Sequence, residues 1–322
     1  MKRLYQEKSF IQFNQRRSNR IMRRKSRIKR RQKHFKLEGK LIKRKPYKIK
    51  APDILSIVYN PNQTIDFISE ISSSIKKSKM IFIDLKYVTD LTPDAIIYLL
   101  VLLKEAKLKN ILIRGNAPEN SKAFSIFVYS GFYDFVNSGL KKLKTPETQN
   151  ILKIRSGKNV DGTEVENIQN YLQEHVHNIK EEQLRALYSI LIECMSNTNE
   201  YAGKEIGDKY WWTMALHDNK SDKVLFAFVD NGVGIPSTVK KNWMDSSTDA
   251  EILKKAASGK YQMSGSKKKT RNKGLPQIRA YHDNGLIQHL AIVSNHGYYS
   301  ADNDTKILEI PFTGTLIAWE FV

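Results

Sequence analysis

The chain has 322 residues, 40% of them hydrophobic and 10% aromatic, enough apolar material for two packed domains, which excludes disorder along the whole length. Its formal charge of +21 is uneven: residues 1–50 hold 21 Lys and Arg against Glu7 and Glu38, while the other 272 residues carry 33 basic and 31 acidic side chains. A single cysteine, Cys194, excludes an intramolecular disulfide and a cysteine zinc cluster, and points to a reducing, cytoplasmic setting.

Residues 1–50 read as a basic arm, disordered or helical. Ile21, Ile28, Phe35 and Ile42 recur every seven residues, but Lys25, Gln32 and Gly39 lie between them, too narrow a stripe for a coiled coil. The arm's charge predicts contact with nucleic acid or another polyanion, without sequence specificity. The longest apolar run, Ala95–Leu103, is half of what a membrane span needs, and the first residues lack the apolar core of a secretory signal.

Residues 51–140 read as a small α/β unit. Strands are expected at Asp53–Tyr59, at Met80–Leu85, which is continuously apolar and therefore central, and at Asn110–Arg114. Helices are expected at Asn62–Lys77, Asp94–Lys107 and Lys122–Tyr129. Thr92 can cap the second of these, with Pro93 at its first position, and that helix is apolar nearly all round. The strand ending Asp84-Leu85, the Tyr87-Val88-Thr89-Asp90 entry to a helix, the ILIR strand and the closing SGFYDF segment together resemble a STAS domain, the fold of anti-sigma-factor antagonists. The resemblance implies a protein partner docking on this unit. The family's phosphoacceptor turn is here Asp90-Leu91-Thr92-Pro93-Asp94, so Thr92 is the one hydroxyl near that point, and capping is its expected role.

Residues 141–150 are polar and read as a linker. Residues 151–322 carry the chemistry. Two amphipathic helices follow the spacing of Val165, Ile168, Leu172, Val176 and Ile179, and of Leu184, Leu187, Leu191 and Met195. On the second, Glu193 and Asn197 stand at i and i+4 and share a face, an arrangement suited to a hydrated magnesium ion and an attacking water. The strand Val224–Val229 runs straight into Asp230-Asn231-Gly232-Val233-Gly234. Two glycines let backbone approach a ligand, and a carboxylate before them can accept from an exocyclic amine. Ser237–Lys273 reads as a long polar lid or disordered loop. Lys273 and Gly274 then open a helix whose free N–H groups favour phosphate. Strands are expected at Ile287–Ser294 and Thr305–Ile310, and in a last segment bearing Gly314-Thr315.

Taken in order, Glu193 with Asn197, Asp230 with Gly232 and Gly234, Gly274, and Gly314 with Thr315 resemble the motifs of GHKL ATPase domains, the Bergerat fold of gyrase, the heat-shock chaperone, histidine kinases and MutL. The resemblance covers residues 151–322 and implies an α/β sandwich that binds ATP and Mg2+. It implies that Asn197 holds the magnesium and that Asp230, with Thr315, meets the adenine amine. Gly232 and Gly234 would make room for base and ribose, Lys273 and Gly274 would meet the phosphates, and Glu193 would orient or deprotonate the attacking group. The second glycine box has one glycine where the family often has two or three, and Thr198 and Tyr201 depart from the family's usual residues.

The whole chain is thus expected to be a regulatory Mg-ATP-binding protein acting as an ATPase, a serine/threonine protein kinase or an ATP-gated switch. The alternative is a nucleic-acid-binding protein working through the arm, with the second half as scaffold. His175 lies on the domain's own first helix and is expected to be no phosphoacceptor. Cys194 is expected in the core, and of Trp211 and Trp212 one ring is expected to face outward.

Overall fold

A computed structural model of the chain describes residues 46–77, 80–136, 150–201, 210–218, 221–261, 274–302 and 305–321. The basic arm up to residue 45, the linker up to residue 149 and Lys273 lie outside the described residues. Lys48–Val322 forms one compact unit of mixed α/β structure.

Its first half opens with strand β1 (Tyr47–Lys50), placed by charge in the arm, and a two-residue strand β2 (Ile54–Leu55). The strand expected over Asp53–Tyr59 stops early, because residues 57–59 turn into helix α1 (Pro61–Lys77) and Thr64 Oγ1 accepts the Ser56 N–H at 3.0 Å. Strand β3 (Met80–Asp84), the short β4 (Asp90–Leu91), helix α2 (Pro93–Leu108), strand β5 (Leu112–Gly115), helix α3 (Ser121–Tyr129) and the single turn α4 (Phe132–Phe135) complete this half. The sheet order is β1-β3-β5, and β5 runs parallel to β3.

In the second half, strand β6 (Ile151–Gly157) precedes helices α5 (Gly162–His175) and α6 (Glu181–Tyr201). Strands β7 (Trp211–Asp218) and β8 (Lys223–Asp230) lead to helices α7 (Ile235–Trp243), α8 (Asp249–Ala257) and α9 (Gly274–Asp283). Strands β9 (Gln288–Ser300) and β10 (Lys306–Phe321) close the chain. The sheet order is β6-β7-β8-β10-β9, and every neighbouring pair is antiparallel. The two last strands expected separately are one long β10, bent by register shifts on either side of Phe312.

Helix α2 sits between the two sheets. All ten residues from Pro93 to Leu102 are buried. A helix apolar on every side needs cover on every side. It packs on β5 of its own sheet and on β7, β8 and β10 of the other. Trp212, Met214, Val229, Val293 and Leu316 share its core. The opposite face of that sheet presents Trp211, Phe226, Phe228, Ile317 and Trp319 to α5 and α6. Both tryptophans are therefore buried, at 1% and 4% exposure; the expectation of one outward ring fails because α2 covers the second face. Each fully buried aliphatic chain in this row contributes about 1.5–3 kcal/mol, which outweighs any helix propensity of about 0.7 kcal/mol or less.

The ends of α2 are fixed locally. Asn110 adopts φ 57°, and the Ile111 N–H bonds Ala106 O at 2.8 Å, a Schellman stop. At the start, Thr92 makes no side-chain bond to the cap amides. The buried Asp94 carboxylate instead accepts the Ile57 N–H at 2.6 Å and those of Asp94 and Ala95, and burial pushes its carboxyl above the usual range. Thr92 is 6% exposed, out of reach of a modifying enzyme in this fold. Across the halves, Glu320, fully buried, pairs with Lys223 at 2.7 Å and accepts a short hydrogen bond from Tyr59 Oη.

Replacing Ile97 by Ala is expected to cost about 2–5 kcal/mol. Because α2 belongs to both cores, fluorescence from the tryptophans of the second sheet and far-ultraviolet circular dichroism should report one shared unfolding transition at a lowered denaturant midpoint. Two separate transitions would contradict the shared core.

Candidate functional site

The strand alternation of β8 sends Val224, Phe226 and Phe228 toward α6, and Asp230 continues that row. Asp230 pairs across the sheet with Thr315 of β10 and with Trp211 of β7. Its carboxylate accepts the Gly232 N–H at 2.6 Å and the Thr315 N–H. The side chain is 8% exposed, and burial pushes its carboxyl up to about 6 against the opposing pull of those two amides. Two of the roughly four lone-pair positions of a carboxylate remain for another donor.

Glycine is required around it. Gly314 has φ 80°, and a Cβ there would collide with the Asp230 carbonyl oxygen. Gly234 has φ 90°, and a Cβ there would meet Ser294 Oγ and Asn295 Oδ1. These two side chains hold the turn. Ser294 Oγ accepts the Ile235 N–H at 3.0 Å and donates to Gly314 O at 2.9 Å. Asn295 Oδ1 accepts the Ser237 N–H at 3.1 Å, and its Nδ2 donates to Val233 O at 3.0 Å. Asn295 has φ 49° at a register shift in β9, which aims both side chains at the turn. Sequence reasoning missed both, since a Ser-Asn pair inside a strand pattern matches no motif. The positive φ was beyond reading from one Asn.

Helix α6 brings the other residues. Cys194 is buried, and its thiol is pushed well up, by burial first and then by the nearby charges of Asp230 and Glu193. Gly274, the first residue of α9, lies against Glu193, where a Cβ would stand 2.7 Å from Glu193 Oε2. Asn197, one turn on, lines a cleft with Gly274, Leu275 and Pro276 of α9, Ile235 and Trp243 of α7, and Tyr261. The cleft measures about 120 Å³. Thr198, the departure beside Asn197, is buried and donates to Cys194 O at 2.9 Å.

The segment expected as a lid or disordered loop holds the end of α7 and all of α8 among its described residues. Helix α8 starts in a full capping box, with Thr248 accepting the Glu251 N–H and Glu251 accepting the Thr248 N–H. The Thr248–Glu251 spacing was a readable signal. Asp245 then accepts from the Ser247 hydroxyl, from Tyr261 Oη at 2.7 Å, from the Ser247 N–H at 2.8 Å and from Lys255 at 3.1 Å, which together hold its carboxyl far below the usual range, and the Tyr261 bond fixes the cleft's outer wall.

The structure thus gathers the sequence-predicted residues into two neighbouring groups. Asn197 and Gly274 line the cleft, with Glu193 against Gly274. Asp230, Gly232, Gly234 and Thr315 form the hydrogen-bonded turn beside α6 and do not line it. The arrangement offers an apolar wall from Ile235, Trp243 and Leu275, an amide side chain, a helix start and one buried acceptor. Elsewhere, His175 Nδ1 is hydrogen-bonded to Tyr171 O and stacks on its ring, a packing role. His282 and His289 share the Asp302 carboxylate at 2.7 and 3.3 Å. Among the described residues no group of three His, Cys, Asp or Glu could hold a metal ion. No protein-family model matches the chain, and no curated protein matches it.

Because its folded carboxyl titrates near 6 and an unfolded Asp near 3.9, Asp230 makes the protein bind more protons folded than unfolded between those values. Stability from this group is therefore lost as pH rises from about 4 to 7, by on the order of 2–3 kcal/mol. Asp230→Asn keeps an acceptor for the two amides without the buried charge. It should flatten that decline and unfold at a higher denaturant midpoint than wild type at pH 7.5, checked by urea titration at several pH values.

Proposed function

We propose that residues 151–322 are an ATP- and Mg2+-binding unit of the GHKL kind, with a STAS-like unit before it, and that the chain is a regulatory protein whose partner docks on the first half. One observation carries this reading: Asp230, a buried acceptor at a strand end, is held by glycine-dependent backbone beside the helix that bears Glu193 and Asn197. A carboxylate costs stability when buried at that point, and a ligand amine is the kind of donor that would use its remaining lone pairs. The antiparallel five-stranded sheet with α5 and α6 on one face supports the sandwich. The parallel β3–β5 pair with the buried α2 supports the STAS likeness.

The residues fit the groups in part. Asp230 would accept the adenine amine and Thr315 would support it. Gly232 and Gly234 would leave room for base and ribose. Gly274, at the start of α9, would offer its amide to phosphate, with Lys273 beside it in the sequence. Asn197 is the one protein ligand the motif supplies for magnesium, whose other ligands would be phosphate oxygens and water. Bound magnesium would neutralise phosphate charge. Glu193, next to Gly274, would orient or deprotonate water or a hydroxyl. The cleft's 120 Å³ is below the roughly 300–1,000 Å³ of sites for drug-sized ligands, so α7 and the segment to Tyr261 must shift outward to admit a nucleotide. That requirement suits an ATP-gated switch at least as well as a fast ATPase or a serine/threonine kinase.

Equilibrium titration of purified protein with Mg-ATP tests the reading. Wild type should bind in the micromolar range, and Asp230→Asn and Asn197→Ala should each weaken binding at least tenfold while remaining folded. A folded wild-type protein that does not bind would refute it.

A second reading rests on the 21 basic residues of positions 1–50: contact with nucleic acid or another polyanion. Deletion must stop at residue 45, because Tyr47–Lys50 is a strand of the first sheet. Removing residues 1–45 should abolish binding to a DNA duplex and its steep salt dependence, and leave Mg-ATP affinity unchanged. DNA affinity that survives the deletion would place the polyanion site elsewhere.

A further inference from the structure

Helices α7 and α8 are both fastened to β9 at their starts. Ile235 and Ser237 of α7 donate their N–H groups to Ser294 and Asn295 at 3.0 and 3.1 Å. Asp249, the first residue of α8 and 8% exposed, accepts the His296 N–H at 2.9 Å and pairs with Lys240 at 2.6 Å. Between these anchors the end of α7 brings Trp243 into the wall of the cleft. Met244 follows at φ 52°, a left-handed backbone that a bulky side chain seldom adopts. Its side chain is 89% exposed, so the packing of Met244 itself does not hold it there. Such a conformation persists only where its neighbours fix it.

Asp245 is the neighbour that does so. Its carboxylate accepts the Ser247 N–H at 2.8 Å, a turn internal to the connection, and reaches across to Lys255 of α8 at 3.1 Å and to Tyr261 Oη at 2.7 Å. Tyr261 joins this cluster to the cleft. It is 8% exposed, forms part of the wall and packs on Trp243 with ring centroids 5.6 Å apart. Packing accounts for the ring but not for the hydroxyl. The ring shares an apolar cluster with Val239, Ile252 and Ala256, where a phenylalanine would serve as well.

We infer that the Asp245–Tyr261 hydrogen bond is an autoinhibitory latch on this cleft. While it is made, Trp243 stays against Tyr261 and the cleft keeps its volume of about 120 Å³. When it breaks, Met244 is free to return to an ordinary backbone conformation, and the end of α7 swings outward about its anchors on Ser294 and Asn295. A ligand that enters only the open form binds with its affinity reduced by the open fraction. The inference rests on the nucleotide reading for the identity of that ligand, but the latch acts, and is tested, without one.

The full-length protein supplies its own reporter. Of its four tryptophans, Trp211, Trp212 and Trp319 are 1%, 4% and 1% exposed, so acrylamide quenches mainly Trp243. Without nucleotide, Tyr261→Phe, which keeps the ring, and Asp245→Ala should each raise the quenching constant at least twofold, with far-ultraviolet circular dichroism unchanged. In a Trp243→Phe background neither should raise it, which separates local opening from general loosening. Unchanged quenching in both variants, or an equal rise without Trp243, would overturn the latch. Tyr261→Phe should also tighten Mg-ATP binding at least threefold over wild type. A wild type that binds and a variant that binds no tighter would overturn the autoinhibitory role. A wild type that binds no Mg-ATP would refute the nucleotide reading, and the quenching result would then decide the latch by itself.

Discussion

Helix α2 is the constraint from which the rest of the molecule follows. Ten consecutive buried residues leave it no solvent face. A three-stranded sheet covers one side of such a helix and not the other. The five-stranded sheet therefore supplies the second wall, and in doing so loses its own free face. Trp212, Met214 and Val229 become core residues instead of surface ones. The connection is polar as well as apolar, because Tyr98 holds the Thr313 amide and Glu105 accepts from its hydroxyl. Thr313 immediately precedes Gly314 and Thr315, the pair that closes on Asp230. A change in the first half thus has a short covalent and hydrogen-bonded route to the turn beside α6.

The turn itself is over-determined. Gly234 and Gly314 set its backbone, the Gly232 N–H bonds the Asp230 carboxylate, and Ser294 and Asn295 bond it from β9. The stability that these contacts provide offsets the cost of a buried carboxylate with a raised pKa. A carboxylate whose ionisation is perturbed by burial next to a cleft is a functional-site candidate. The same carboxylate in a purely structural role would be more stable as an amide, which is why stability and binding should respond in opposite directions at this one residue.

Much of the fold was legible in the sequence, for physical reasons that differ by element. The all-round apolar run of Ala95–Leu103 and the apolar Met80–Leu85 strand announced burial directly. The Glu193–Asn197 spacing placed two side chains on one face of α6, and the structure puts one in the cleft and the other against Gly274. What failed had weak local signals. β1 is a strand with a single inward residue, Ile49, set among lysines, so composition hid it in the basic arm. Asp53–Tyr59 has strand-like composition, but the turn at residues 57–59 ends it after two paired residues. The helices α7 and α8 were masked by a polar average, although Pro236 and the Thr248–Glu251 box marked their starts. Ser294 and Asn295 depend on a bulge that forms only when β9 meets β10, and no single-strand pattern encodes it.

The most direct test of the account is a crystal structure of the full chain with magnesium and a non-hydrolysable ATP analogue. The account predicts the adenine amine within hydrogen-bond distance of the Asp230 carboxylate, phosphates at Gly274 and Asn197, and α7 moved outward from its present position. Analogue bound away from Asp230, or an unchanged cleft at saturating analogue, would contradict it.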